Sequence, residues 1–271
     1  MNYLSISGIV VFISSIICSG FVCLAKPRTI LKTTWGLFSL SISFWGLGLF
    51  KTYTTTDYTN ALFWARFLNL SALTVPVFFI HFVFLFTKRL QTKWKELIVY
   101  YVLMFITFLL AILFPKTFIP HLSPKSGYQF YPNAGAVYYM LPVIIGYLAS
   151  YGSYLLYFET KNKNKTKSYQ ARYILFGVVI GFLGAGTAFF EVFDLKIYPF
   201  GASFVTLYVV LTTYAIIKYH LMDIKLAICS MKTHYLLQKY QIMTSPGIII
   251  DGKLEFTGVP SEKKLKEKLV G

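Results

Sequence analysis

Long apolar runs alternate along the chain with short, lysine-rich breaks, and the runs have the length a helix needs to cross a bilayer. Spanning the hydrocarbon layer takes about 20 apolar residues in helical form. The first run ends at Lys26, the second lies between Lys32 and Lys51, and the third covers Ala61 to Thr87. The fourth lies between Glu96 and Lys116, the fifth between Lys125 and Glu159, and the last two cover Tyr173 to Phe190 and Ile197 to Ile217. The pattern predicts an all-α membrane protein of seven transmembrane helices, with a small soluble piece behind them.

The breaks carry an independent signal. Assigned to alternate sides, one set holds Lys26, Arg28, Lys32, Lys88, Arg89, Lys93, Lys95, Lys161, Lys163, Lys165, Lys167 and Arg172. The other holds only Lys51, Lys116, Lys125 and Lys196. Basic residues beside spans collect on the cytoplasmic side, so the N-terminus is expected outside and everything after Ile217 inside. An odd number of spans demands the same arrangement. Residues 1–25 carry no charged side chain and lack the basic start of a signal peptide, so a retained first helix is expected. Trp35, Trp64, Trp94, Tyr53, Tyr58, Tyr138 and Tyr139 fall near predicted helix ends, where amphipathic rings sit among headgroups. Pro115 to Asn133 is the longest outer loop, either a lid or a simple connection.

Composition sharpens this picture. Of 271 residues, 13% are charged and 56% hydrophobic, against roughly a quarter charged in a soluble globule. Most side chains are therefore not expected to face water. The net charge of +16 would suggest nucleic acid in a soluble protein; beside membrane spans it marks the lipid bilayer as the partner, with no nucleic acid. Cys18 and Cys23 lie in the first run and Cys229 follows the last, with no CxxC and no Cys/His cluster at metal spacing. They read as small fillers; no metal and no cofactor is expected.

Polar groups inside a span are costly and so informative. Arg66 and Asn69 stand one turn apart near the outer end of the third run, His81 follows Pro76 deeper in it, and Glu191 and Asp194 close the sixth. One reading is a pocket near the outer surface with Arg66 facing Glu191 or Asp194. In the other, Arg66 snorkels to headgroups and His81 bonds a neighbouring carbonyl. Known chemistries of seven helices fit poorly. A retinal protein needs a lysine in the last span, and Ile197 to Ile217 contains none. HExxH is absent, which disfavours metal-dependent proteolysis. The loosened run with Gly177, Gly181, Gly184 and Gly186 has no matching segment earlier, as transport by paired repeats would favour.

The segments WARFLNLSALTVPVFFIHFVFLF (64–86), GYQFYPNAGAVYYM (127–140) and YPFGASFVTLYVVLTTYAIIKYHLMDIKLAI (198–228) resemble the seven-helix N-terminal region of bacterial sensor histidine kinases and diguanylate cyclases. The resemblance covers roughly residues 1–228. It implies an input domain in the bacterial cytoplasmic membrane that perceives a small ligand and passes a change in helix packing inward. About 43 residues follow Ile228, too few for a kinase, so output through a second copy or a separate signalling protein is expected.

Residues 229–271 show a different pattern. GIIID (247–251) predicts a strand, Gly252-Lys253 a turn, LEFTGV (254–259) a second strand, and Pro260-Ser261 opens a basic amphipathic helix. The stretch KYQIMTSPGIIIDGKLEFTGVPSEKKLKEKL resembles the second half of a thioredoxin-like domain, making this piece a small α/β fragment in the cytoplasm. The resemblance implies that Pro246 matches the family's cis-proline. The family's first strand, its CxxC and the following helix are missing, and Cys229 stands too close to Pro246 to be the nucleophile. Without a thiolate there is no thiol–disulfide exchange, so intrinsic catalysis is not expected. The expectation is a membrane signal-sensing module, with Arg66, Asn69, His81, Glu191 and Asp194 as ligand-pocket or helix-packing residues. Two alternatives stay open: a redox-linked membrane protein whose tail binds a thiol partner around Pro246, and a non-catalytic fusion remnant.

Overall fold

Several of the polar breaks end with a residue that caps the next helix. Asp57 Oδ2 accepts the Asn60 N–H at 2.7 Å, Asn164 Oδ1 that of Lys167 at 3.2 Å, and Thr29 Oγ1 that of Lys32 at 3.3 Å. Each bond satisfies a donor that a helix start leaves open. The computed structural model describes residues 2–24, 28–208, 211, 247–250 and 253–257. The chain divides into two units, Met1–Met222 and Asp223–Gly271.

The first unit is helical: α1 (Tyr3–Leu24), α2 (Ile30–Thr54), α3 (Tyr58–Phe86), α4 (Leu90–Leu113), a single turn α5 (Pro115–Phe118), α6 (Met140–Glu159) and α7 (Lys165–Val192). Helices outrun the apolar stretches that predict them. α2 takes in Lys32, α4 takes in Lys93, Lys95 and Glu96, and α7 starts at Lys165, ahead of Tyr173. Backbone hydrogen bonding continues through the headgroup zone, where polar side chains are welcome, so hydropathy marks only the lipid-crossing part.

Among the described residues five segments are long and apolar enough to span: Tyr3–Leu24, Tyr58–Phe86, Leu90–Leu113, Ala136–Glu159 and Lys165–Val192. α2 is as long, at 25 residues, but more polar. Its Ser39, Ser41, Ser43 and Thr52 are buried, because α2 packs between α1 and α3 and turns these groups toward protein. The seventh expected run, Ile197–Ile217, is described only through Tyr208 and at Leu211; it contains a 3-10 turn at Phe200–Ser203 followed by helical residues 204–208.

Small residues let the helices close up. A Cβ on Gly8 would lie 2.6 Å from the Phe50 nitrogen, and one on Gly46 would lie 2.7 Å from that of Phe12. α1 and α2 therefore touch backbone to backbone, as small residues permit in lipid. Ser43 and Ser19 donate across this seam to the carbonyls of Phe12 and Gly36 at 3.1 and 2.8 Å.

The segment between α4 and α6 is more structured than a lid-or-connection reading anticipates. After α5 it forms an antiparallel hairpin, β1 (Leu122–Lys125) with β2 (Tyr128–Pro132), closed by the Lys125–Tyr128 pair. Ser126 and Gly127 both have positive φ, +46° and +81°, the backbone of a type I′ turn. A 3-10 turn, Ala136–Tyr139, then leads into α6.

In the second unit, β3 (Gly247–Ile250) pairs antiparallel with β4 (Lys253–Thr257), with Ile250 opposite Lys253. This is the expected hairpin, with Lys253, expected in the turn, already part of β4; residues 251–252 and 258–259 lie outside the described residues. Cys229, Pro246 and the expected helix after Pro260 lie outside the described residues.

Candidate functional site

α2 presents Phe38, Ile42, Trp45, Leu49 and Tyr53 at steps of three or four residues, so these side chains form one stripe along its axis. That stripe walls a cavity of about 80 Å³. α3 supplies Asn69 and Ala72, α7 supplies Gly181 and Phe182, and Tyr208 closes the side. Aromatic packing forms the inner floor: the Phe38 ring lies 5.8 Å from Phe79 and 5.8 Å from Tyr208. Tyr131 and Pro132 of the hairpin, with Tyr138, form the roof at the opposite end.

The roof is built from tyrosines held by hydrogen bonds. Tyr131 donates to the Ala188 carbonyl of α7 at 2.8 Å, and its ring lies 5.8 Å from that of Tyr53. Tyr138, fully buried, donates to Asn69 Oδ1 at 2.7 Å, and Asn69 Nδ2 donates to the Ala65 carbonyl at 2.8 Å. Tyr128 and Tyr198 bond hydroxyl to hydroxyl at 2.8 Å. Burial pushes the hairpin phenols of Tyr128 and Tyr131 well above their ordinary range, and the Glu191 carboxylate adds to this at Tyr131. Both stay neutral at any ordinary pH.

Of the two readings of these polar residues, the pocket with Arg66 facing Glu191 or Asp194 does not form. Arg66 gives both Nε and Nη2 to the Ile119 carbonyl, at 3.3 and 2.8 Å, and so braces the loop instead of facing Glu191 or Asp194. Glu191 is 3% exposed and accepts from the Ser126 hydroxyl. Asp194, with φ +62°, pairs with Lys125 at 2.7 Å, and Lys125 also donates to the Glu191 carbonyl at 2.9 Å. The two carboxylates thus clasp the hairpin turn onto the end of α7. His81 Nδ1 lies 2.9 Å from the hydroxyl of Tyr101 on α4, a bond between helices. Of the candidates, Asn69 alone lines the cavity. Among the described residues no group of three His, Cys, Asp or Glu could hold a metal.

Position near a helix end also misassigned some aromatics. Trp94, Tyr58 and Tyr139 are exposed, but Trp35 and Tyr138 are buried inside the protein. Tyr131 carried no sequence signal beyond the tyrosine density of its loop; the Ser-Gly pair at 126–127 was a readable turn signal.

A helical bundle with an apolar, tyrosine-roofed interior is an arrangement suited to holding a small molecule within the membrane. Residues 9–225 match the family model for the N-terminal 7TM region of histidine kinase. The chain belongs to this family. Residues 219–270 match a thioredoxin domain model, and comparison with curated proteins returns no match. In this member of the family of histidine kinase N-terminal 7TM regions, then, the multi-pass membrane part runs directly into thioredoxin-like sequence.

Proposed function

We propose that the membrane part is a signal-input module, and that a small molecule entering the cavity beneath the tyrosine roof is its signal. The observation that carries this reading is the cavity itself, bounded by α2, α3 and α7 and by the β1–β2 hairpin that is tied to α7. Occupancy can bias the bundle only if it favours one of two packings. Residues on α7, together with Val205 and Tyr208, line the cavity, so a change there acts on the segments that precede the tail in sequence. In this reading seven spans leave the N-terminus outside and the thioredoxin-like tail in the cytoplasm of a bacterial inner membrane. The module has no catalysis of its own and works through a second copy or a separate signalling protein.

Spin labels on cysteines at the exposed positions Lys95 and Lys163 of the full chain, its native cysteines replaced, test this. Ala72→Phe fills the cavity and imitates occupancy. The distance distribution should shift between two populations; a single distribution unmoved by the substitution refutes the reading.

The thioredoxin domain match favours a second reading, in which the tail is a docking surface for a thiol protein. Changing Pro246 should then abolish partner capture while the membrane part stays folded.

A further inference from the structure

The cavity's chemistry narrows what can occupy it. Among the described residues that line it there is no Asp, Glu, Lys, Arg or His. An ion placed there would lose its hydration without a counter-charge, a cost of several kcal/mol even after relaxation. The occupant is uncharged. Its walls are aromatic and aliphatic, with Phe38, Trp45 and Phe182 among them, so most of its surface is apolar.

One polar group in the lining has bonding capacity to spare. Asn69 is 6% exposed and uses one N–H on the Ala65 carbonyl and one oxygen lone pair on the Tyr138 hydroxyl. A primary amide has two N–H donors and two lone pairs on its oxygen, so one of each remains. A hydroxyl is the simplest group that accepts from the first and donates to the second. Ligand capacity is bounded too: about 80 Å³ is roughly half of the ~150 Å³ engineered cavity that takes benzene. That holds about three non-hydrogen atoms, so the hydroxyl end of a larger alcohol lies inside while the rest of its apolar body projects through the cavity's open side.

We propose that the cavity is a site for a small uncharged alcohol, an apolar body with one hydroxyl, held at Asn69 and delivered from the bilayer. This deepens the signal-input reading and rests on it only for its biological meaning; binding is read separately.

The probe is 2,2,2-trichloroethanol, a tryptophan quencher, compared with 1,1,1-trichloroethane, which lacks the hydroxyl. The protein is the full chain in lipid nanodiscs with Trp35, Trp64 and Trp94 changed to Phe, leaving Trp45 in the cavity wall as reporter. The expected result is saturable quenching, about tenfold tighter for the alcohol at equal concentration in the bilayer, the worth of one or two buried hydrogen bonds. Asn69→Leu should remove that preference, and Ala72→Phe should remove saturation; Ala185→Leu serves as a second filling variant if Ala72→Phe fails to fold. Quenching that rises linearly and equally in the filled variants means partition into lipid alone and overturns the proposal. Saturation without preference for the hydroxyl overturns it as well. If binding fails while the spin labels still respond to Ala72→Phe, the alcohol site falls and the input reading stands. Saturable, hydroxyl-selective binding with unresponsive labels sustains the site and removes the input role.

Discussion

Tyr138→Phe deletes one oxygen from the roof and leaves the Asn69 oxygen without its 2.7 Å donor. Tyr138 is fully buried and Asn69 nearly so, so water cannot readily replace the lost bond. An unsatisfied buried acceptor costs about 1–3 kcal/mol, whereas hydrogen bonds between membrane helices average about 0.6 kcal/mol by double-mutant cycles. The two scales bracket the expectation at about 1–2 kcal/mol. Asn69→Leu should cost a similar amount by stranding the Tyr138 hydroxyl. The double variant removes both partners, and replacing both ends of a bond by apolar groups approaches neutrality. It should therefore be about 1 kcal/mol less destabilised than the sum of the singles, a coupling typical of residues in contact. Reversible unfolding in mixed micelles with increasing sodium dodecyl sulfate measures all four corners of the cycle. Strict additivity would show that the pair contributes nothing jointly, and the hydrogen-bonded roof would lose its energetic basis.

Other consequences are as direct. A Cβ on Gly184 would lie 2.5 Å from the Gly201 carbonyl oxygen, so Gly184→Ala should destabilise by about 1–3 kcal/mol through overpacking; Gly146→Ala, with nothing within 4 Å, should be neutral or stabilising, and thermal unfolding compares them. The raised phenol affinities of Tyr128 and Tyr131 stabilise the fold fully below about pH 10, the ordinary tyrosine value. Above it the unfolded state sheds its protons first, so stability should decline with rising pH, and phenolate absorbance from these two tyrosines should lag behind that of exposed ones. Cysteines at the exposed positions Gln129 and Lys163 should label with an impermeant maleimide from opposite faces of the membrane, Lys163 from the cytoplasmic one; labelling of both from one face refutes the orientation.

Helices were legible from apolar runs because lipid imposes a minimum length on every crossing. Their ends were not, since α4 and α7 continue through lysines that hydropathy counts as breaks. Asn69 could be flagged by sequence as a polar group in a span, but its partner lies 69 positions away, and only three-dimensional register brings the two together. Arg66 shows the limit most plainly. Its partner is a main-chain carbonyl, a group that every residue carries, so no side-chain pattern announces it. Glu191 and Asp194 were correctly picked out as unusual, yet their partners Ser126 and Lys125 sit in a hairpin whose only advance signal was a Ser-Gly pair. Trp35 lay near a predicted helix end, and position alone could not say whether its ring faced headgroups or Phe82, whose ring lies 4.8 Å away.

The segment between α4 and α6 is fastened at both ends. Arg66 holds its start to α3 through the Ile119 carbonyl, and Lys125, Ser126 and Tyr131 hold its far end to α7. A strap pinned to two pillars works as a caliper. If a guest wedges the pillars apart, the strap must slip one of its pins, and the size of the guest becomes a choice between discrete fastenings, not a continuous stretch.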